Sequence, residues 1–169
     1  MHNSELFLYN PINKKNATCS IWMAFPGPES FAMSSLGYLW LFKSIDEFKD
    51  VNIERIYSDT PNPHFKPDEI NFMGFSFSFD TDFLTIFAML EKYNIPLKTV
   101  ERTNSHPMIF AGGPVVTANP APYESYFDFF IIGDGEAVNF EIIKEYQTHK
   151  ELNKHDFLKL ISQIEGVYV

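Results

Sequence analysis

Few groups in this chain could do chemistry. Its 169 residues hold one cysteine, Cys19, and five histidines: His2, His64, His106, His149 and His155. A single thiol excludes an intrachain disulfide framework, a four-cysteine zinc site and a self-contained iron–sulfur cluster. No two histidines stand four apart, so no helical metal pair is present. Cys19 falls in an apolar run that reads as a buried strand, where thiols are inert. His64 lies in a proline-rich loop with no acid nearer than Asp68, and His106 precedes Pro107 in another loop. Neither has the partners of a general base.

The remaining signals are four loops. They are Phe25-Pro-Gly-Pro-Glu-Ser30, Ser76-Phe-Ser-Phe-Asp80, Ala111-Gly-Gly-Pro114 and Gly133-Asp-Gly-Glu136. Each follows an apolar run, and glycine there lets the backbone turn sharply or approach a ligand closely. Singly, each serves equally well as an ordinary turn between a strand and a helix. Asp134 and Glu136 would sit in the first turn of a helix, where acids suit the dipole. They also occupy the place where a phosphate would otherwise bind. A ligand at this turn should present donors such as amides, hydroxyls or an amine; a simple charged cap is the other reading.

The elements that must position these loops alternate along the chain. Strand-like runs cover Thr18–Phe25, Val51–Tyr57, Ile70–Ser78, Pro107–Ala111 and Phe129–Ile132. In the second run Val51 and Ile53 alternate, and Ile56 fits only after a slip. Helical patterns cover Ser30–Phe48, a segment capped by Asp80 or Asp82 that ends near Asn94, a short piece at Tyr123–Tyr126, a segment presenting Val138, Ile142 and Tyr146, and His155–Ile164. Strands alternating with helices imply βαβ units and a parallel sheet, with right-handed crossovers. The expected fold is therefore α/β: a Rossmann-like, flavodoxin-like, doubly wound and mainly parallel five-stranded sheet in three layers. Ligands of such sheets bind beyond the carboxyl ends of the strands, at the topological switch point. Trp22 and Trp40 read as core, as do Met33 and Met73.

Composition sets the outer limits. Hydrophobic residues make up 45% and charged residues 21%, which suits a globular domain. The net charge of −9 opposes a role in binding DNA or an anionic membrane surface. The uncharged stretches Ala17–Pro28 and Ser30–Phe42 fall short of the ~20 residues of a membrane span. The first residues lack an apolar signal core, so a cytoplasmic protein is expected. Residues 1–15, with Lys14 and Lys15, read as an exposed arm; 16–150 form the main domain and 151–169 a C-terminal helix and tail.

Known doubly wound functions can be tested on the loops. The first has one glycine between prolines, so it is neither a dinucleotide fingerprint nor a phosphate-binding P-loop. The third run ends Phe75-Ser-Phe-Ser rather than in the aspartate of a phosphoacceptor. No hydroxyl-rich cradle for flavin mononucleotide follows the first strand.

Taken together, Phe110-Ala-Gly-Gly-Pro114, Asn119-Pro-Ala-Pro122 and Asp128-Phe-Phe-Ile-Ile-Gly-Asp-Gly-Glu136 resemble the N-terminal cobalamin-binding-type domain of radical S-adenosylmethionine (radical SAM) proteins. Ala24-Phe-Pro26 with Met33-Ser-Ser-Leu-Gly37, and Gly74-Phe-Ser-Phe-Ser78, resemble its first and third strand regions. The likeness spans residues 18 to 147. Glu165-Gly-Val-Tyr-Val169 resembles the linker into a catalytic barrel.

The resemblance implies an accessory domain without catalysis of its own, partnered in cis or in trans by a radical SAM domain. The [4Fe–4S] cluster and S-adenosylmethionine would belong to that domain, because the Cys-x3-Cys-x2-Cys motif is absent here. The chain is expected to be a fragment, or an orphan domain working beside another polypeptide. Cobalamin would bind base-off and without a protein cobalt ligand, since no Asp-x-His-x-x-Gly is present. Ser76, Ser78 and the backbone of Gly112 and Gly113 would line a groove for its nucleotide tail. Asp134 and Glu136 would accept hydrogen bonds from corrin amides, and Pro26, Pro114, Gly133 and Gly135 would shape the site. The alternative is a degenerate domain that binds no cofactor and docks the catalytic domain or a macromolecular substrate, with Phe77-Ser-Phe79 filling the groove. The oligomeric state is open on either reading.

Overall fold

The computed structural model describes residues 10–169; residues 1–9 of the expected arm lie outside the described residues. Alternation within β1 (Cys19–Phe25) sets the architecture. Ile21 and Met23 enter one apolar cluster, and Trp22 and Ala24 enter another on the opposite face. A strand apolar on both faces must be covered on both faces. The covers are α2 (Leu36–Asp46), α5 (Gly135–Thr148) and α6 (Lys154–Ile161) on the first side, and α3 (Asp82–Lys92) on the second.

Between them run β2 (Val51–Tyr57), β3 (Phe72–Ser76), β4 (Met108–Gly112) and β5 (Phe129–Ile131), all parallel to β1. The order is β2-β1-β3-β4-β5 with a sixth strand, β6 (Val167–Tyr168), at the end. This is the expected doubly wound α/β fold, with one strand more than the sequence suggests. β6 pairs antiparallel with β5, opposing Tyr168 to Phe130 and Val167 to Ile131. Gly166 makes the turn possible at φ +88°, where a Cβ would press on Val138 at 3.1 Å and on the Ile132 carbonyl oxygen at 3.2 Å. The residues that resemble a linker are therefore part of the sheet.

The abundant aromatics divide between the faces. Phe72 contacts the rings of Phe110, Phe129, Tyr146 and Phe157 on the first side. On the second, Phe77, Phe83, Tyr123 and Tyr126 form a chain of ring contacts. Such pairs add about 0.5–1.5 kcal/mol each beyond the area they bury.

Several local expectations need correction. The helix expected over Ser30–Phe48 is two helices, α1 (Glu29–Ala32) and α2. The Ser34 hydroxyl donates to the Phe31 carbonyl at 2.7 Å and Ser35 is extended, so the serines divert the backbone. β2 has no slip. Its register with β1 is continuous, Arg55 lays its guanidinium over the Phe42 ring at 4.6 Å, and Ile56 faces the other cluster. The short helix expected at Tyr123–Tyr126 is a 3-10 turn over Ala121–Tyr123, and a further helix, α4 (Pro114–Ala118), precedes it. α3 is preceded by Thr81; Asp82 is its first residue and accepts from the amides of Ser78 and Phe79. Trp40 is 51% exposed rather than core. Lys14 is not a free surface cation. Its ammonium pairs with buried Asp46 at 2.7 Å and donates to the Phe48 carbonyl at 3.0 Å, closing the end of α2.

A second buried ionic cluster ties the far half together. The Asp128 carboxylate, before β5, accepts from the Ile109 amide of β4 at 2.7 Å. Lys154 Nζ lies 2.8 Å away at the start of α6, and Arg102 Nε lies at 3.5 Å. Arg102 also donates to the carbonyls of Pro96, Leu97 and Tyr126. Removing one member strands buried charge. Asp128→Asn should lower the unfolding free energy by about 3–5 kcal/mol, read by urea denaturation. A loss below about 1 kcal/mol, the scale of an exposed pair, would contradict this structural role.

Candidate functional site

The crossovers leave β1 and β3 on opposite faces, so the loops after these adjacent strands part and open a crevice at the carboxyl edge. A cleft of about 290 Å³ lies there. Ser76, Ser78, Gly112, Gly113, Pro114, Gly133, Asp134, Gly135 and Glu136 all line it, nine of the ten residues expected from sequence. Pro26 does not. It is buried in a loop that β2's end holds back, through Ser58 N–H to Gly27 O at 2.9 Å and Glu29 N–H to Asp59 at 3.1 Å.

The cleft has an apolar floor and a polar mouth. Ile21 and Phe110 from the sheet, with Leu41 and Ile45 from α2, form much of the floor. Gly37 lines the wall, and a Cβ built on it meets nothing within 4 Å, so this wall is open. Gly74 serves a different end. A Cβ there would stand 2.3 Å from the Phe110 ring, so glycine makes room for that ring, which stacks on Phe129 at 4.8 Å. Phe77 does not fill the groove: it is fully buried in the opposite cluster, and Phe79 is 71% exposed.

Polar groups at the mouth are available to a ligand. The hydroxyls of Ser76 and Ser78 have no partner among the described residues. Asp134 stands at the N-cap of α5, yet its side chain makes no capping hydrogen bond. No capping hydrogen bond therefore engages its carboxylate, although its charge still suits the helix dipole. Asn139, one turn into α5, donates to the Gly135 carbonyl at 2.7 Å and leaves its amide oxygen facing no described donor. Sequence reading missed Asn139 and Gly37, because a helix residue faces a cleft only once the helix is docked. The signal was a buried-face asparagine one residue after Val138. Among the described residues no Lys, Arg or His lines the cleft. Two acids and no cation select against polyphosphates and favour a neutral or donor-rich ligand.

Catalytic equipment is sparse. Cys19 is 2% exposed, and burial pushes its thiol well above the ordinary range, which removes the reactive thiolate. Among the described residues no cluster of three His, Cys, Asp or Glu could hold a metal ion, and no helix is long and apolar enough to cross a membrane. His64 is fixed through its backbone: Glu54 accepts from its amide, from the Phe65 amide at 3.2 Å and from Trp22 Nε1 at 2.9 Å.

Fold and cleft define a doubly wound α/β module with a cleft at the switch point of its sheet. Residues 62–169 match the family described as radical SAM proteins, N-terminal. The match covers more than half of the chain, which belongs to that family. Comparison with curated proteins and with solved structures gave no match.

The two central glycines of the cleft differ. Gly113 has φ +122°, and a Cβ there would lie 2.6 Å from the Phe77 carbonyl oxygen. Gly112 is a strand residue whose Cβ would make ordinary contacts at 3.7 Å. Gly113→Ala should destabilise by about 2–3 kcal/mol, and Gly112→Ala by less than about 1 kcal/mol. Equal effects in thermal or urea unfolding would refute this distinction.

Proposed function

We propose that this domain serves a radical SAM protein by holding the nucleotide tail of base-off cobalamin in the carboxyl-edge cleft. The observation that carries the reading is the cleft's make-up: an apolar floor, idle hydroxyls and acids at the mouth, and no cation among the described residues. Its volume, at the small end of ligand pockets, suits one flat heterocycle rather than a whole corrin. On this reading the base of the tail lies against Ile21, Leu41 and Phe110, with the open wall at Gly37 beside it. The Ser76 and Ser78 hydroxyls donate to the sugar–phosphate portion. Asp134 and Glu136 accept from the corrin's amides. The residues present fit the group, and none of them supplies a cobalt ligand. When bound, cobalamin would supply alkyl or electron transfer at cobalt. The protein's own part is to bind, to orient and to keep water from the base.

A second reading rests on a separate observation. Phe31 and Phe79, both more than half exposed, stand in the segments that follow β1 and β3, and Leu36 opens α2 at 80% exposure. Apolar side chains at a site mouth also suit a docked protein surface, here the catalytic radical SAM domain.

Titration of the full chain with hydroxocobalamin, followed by the visible spectrum and by comigration on gel filtration, separates the two. The expected result is stoichiometric binding with a base-off spectrum. Gly37→Phe, which projects into open space without backbone strain, should weaken binding at least about tenfold while the melting curve is preserved. Absence of binding, or unchanged affinity in a folded Gly37→Phe variant, overturns the cobalamin reading and leaves the docking reading in front.

A further inference from the structure

The amino edge of the sheet, opposite the cleft, carries a second cavity of about 370 Å³. It lies where the starts of β3 and β4 meet the end of α5 and the start of α6. Asn104, His106, Tyr146, His149 and Lys154 give it a polar wall, with Glu151 the one acid among its lining residues. Ligands of doubly wound sheets bind at the other edge, so converging polar side chains here need a separate explanation.

Several of these groups are donors without work. The Thr103 amide donates to His106 Nδ1 at 3.0 Å, so a neutral ring carries its proton on Nε2. No described residue accepts that proton, and the Asn104 side chain makes no hydrogen bond to a described residue. Tyr146 accepts from Asn71 at 2.7 Å, but nothing described accepts from its own hydroxyl. Burial raises the Tyr146 phenol, which keeps its proton in place. Lys154 Nζ is buried and paired with Asp128, yet has no aligned hydrogen bond.

Charge points the same way. The buried trio behind this wall holds two cations, Arg102 and Lys154, against one carboxylate, Asp128. Their side chains are 0%, 17% and 2% exposed, so the surplus positive charge is held away from water. Burial lowers the Arg102 pKa, with the Asp128 charge opposing, as an under-compensated cation requires. Glu101 attracts Arg102 only from the surface, where water screens it. Glu151 and Glu145 lie at 3.6 Å and 3.4 Å from the ring nitrogens of His149, so their carboxylates face that ring.

We propose that the amino-edge cavity binds a small oxyanion, a carboxylate or a phosphate group, received by His106 Nε2, the Asn104 amide and the field of Lys154 and Arg102. The anion completes the charge balance of the trio and gives the idle donors an acceptor. This site is independent of the carboxyl-edge cleft, which lacks cations.

The test is titration of the full chain with inorganic phosphate and, separately, with succinate, with sodium chloride at matched ionic strength as control. Histidine imidazole resonances and the melting temperature are the readouts. The expected result is a saturable shift at His106 and His149 and a rise in melting temperature with at least one oxyanion. Phosphate alone would identify a phosphate source, succinate alone a carboxylate source, and both a general oxyanion site. His106→Ala and Asn104→Ala, read at His149 and by melting, should each weaken the response about tenfold, the loss of one hydrogen bond to a charged group. No saturable shift with either anion, an equal shift with chloride, or unchanged affinity in both folded variants overturns the proposal.

Discussion

Asp128 stands where three parts of the chain must agree. Its carboxylate takes the Ile109 amide at the start of β4, draws the α6 ammonium of Lys154 inward, and faces the guanidinium that pins Pro96, Leu97 and Tyr126. β5 begins at the next residue, and its far end becomes Ile131 and the Gly133 turn of the cleft. The place of β5 in the sheet, the docking of α6 and the reach of β6 thus depend on one buried ion. The same ion leaves a surplus cation at the amino edge. A hydrophobic replacement of the cluster could stabilise the domain as well, since buried ion pairs rarely outperform good packing. The presence of three charged groups here fits a requirement for charge rather than for stability alone.

The carboxyl edge is governed by backbone proximity instead. Gly113 lets the turn after β4 close on the Phe77 carbonyl, and Phe77 N–H donates to Gly112 O at 2.8 Å. This lock fixes the loop that carries Ser76 and Ser78. Across the cleft, α5 starts at Gly135, whose Cβ would come within 3.2 Å of the Asn139 amide. Glycine on both sides keeps the crevice open while the surrounding core stays close-packed.

How much of this was legible follows from where each signal lives. β1 could be read because its alternation continues over seven residues. β6 could not, because two residues show no periodicity and their pairing depends on β5 and Val138, distant in sequence. Ile56 reads as a slip in β2 because the aliphatic stem and cation–π contact of Arg55 with Phe42 are invisible to a hydropathy pattern. Trp40 looked like core because the outward face of α2 is fixed only when Tyr38, Phe42 and Ile45 dock. In the site, strand-end glycines announce themselves along the chain, and the parallel topology brings them together. Gly37 and Asn139 sit on helices, so their facing is a property of packing. Lys14 reads as a surface charge along the chain because Asp46, its partner, lies on another element.

The described charged groups differ between the two edges of the sheet, with acids at the cleft mouth and a buried cation surplus behind the amino-edge wall, and this division has a physical basis. A parallel sheet separates its ends by the length of the strands, here five to seven residues in β1, β3 and β4. At roughly 3.3 Å per residue that distance exceeds the Debye length of about 8 Å at physiological ionic strength. Acids at Asp134 and Glu136 therefore do little to quench the cation surplus around Arg102 and Lys154, although a low-dielectric core transmits more than water does. One small domain of strongly negative net charge can in this way keep a cation-free cleft at one end and an anion-seeking cavity at the other. The doubly wound topology makes the first edge a natural place for a ligand. The buried ionic cluster, which the topology does not require, gives the second edge its chemistry.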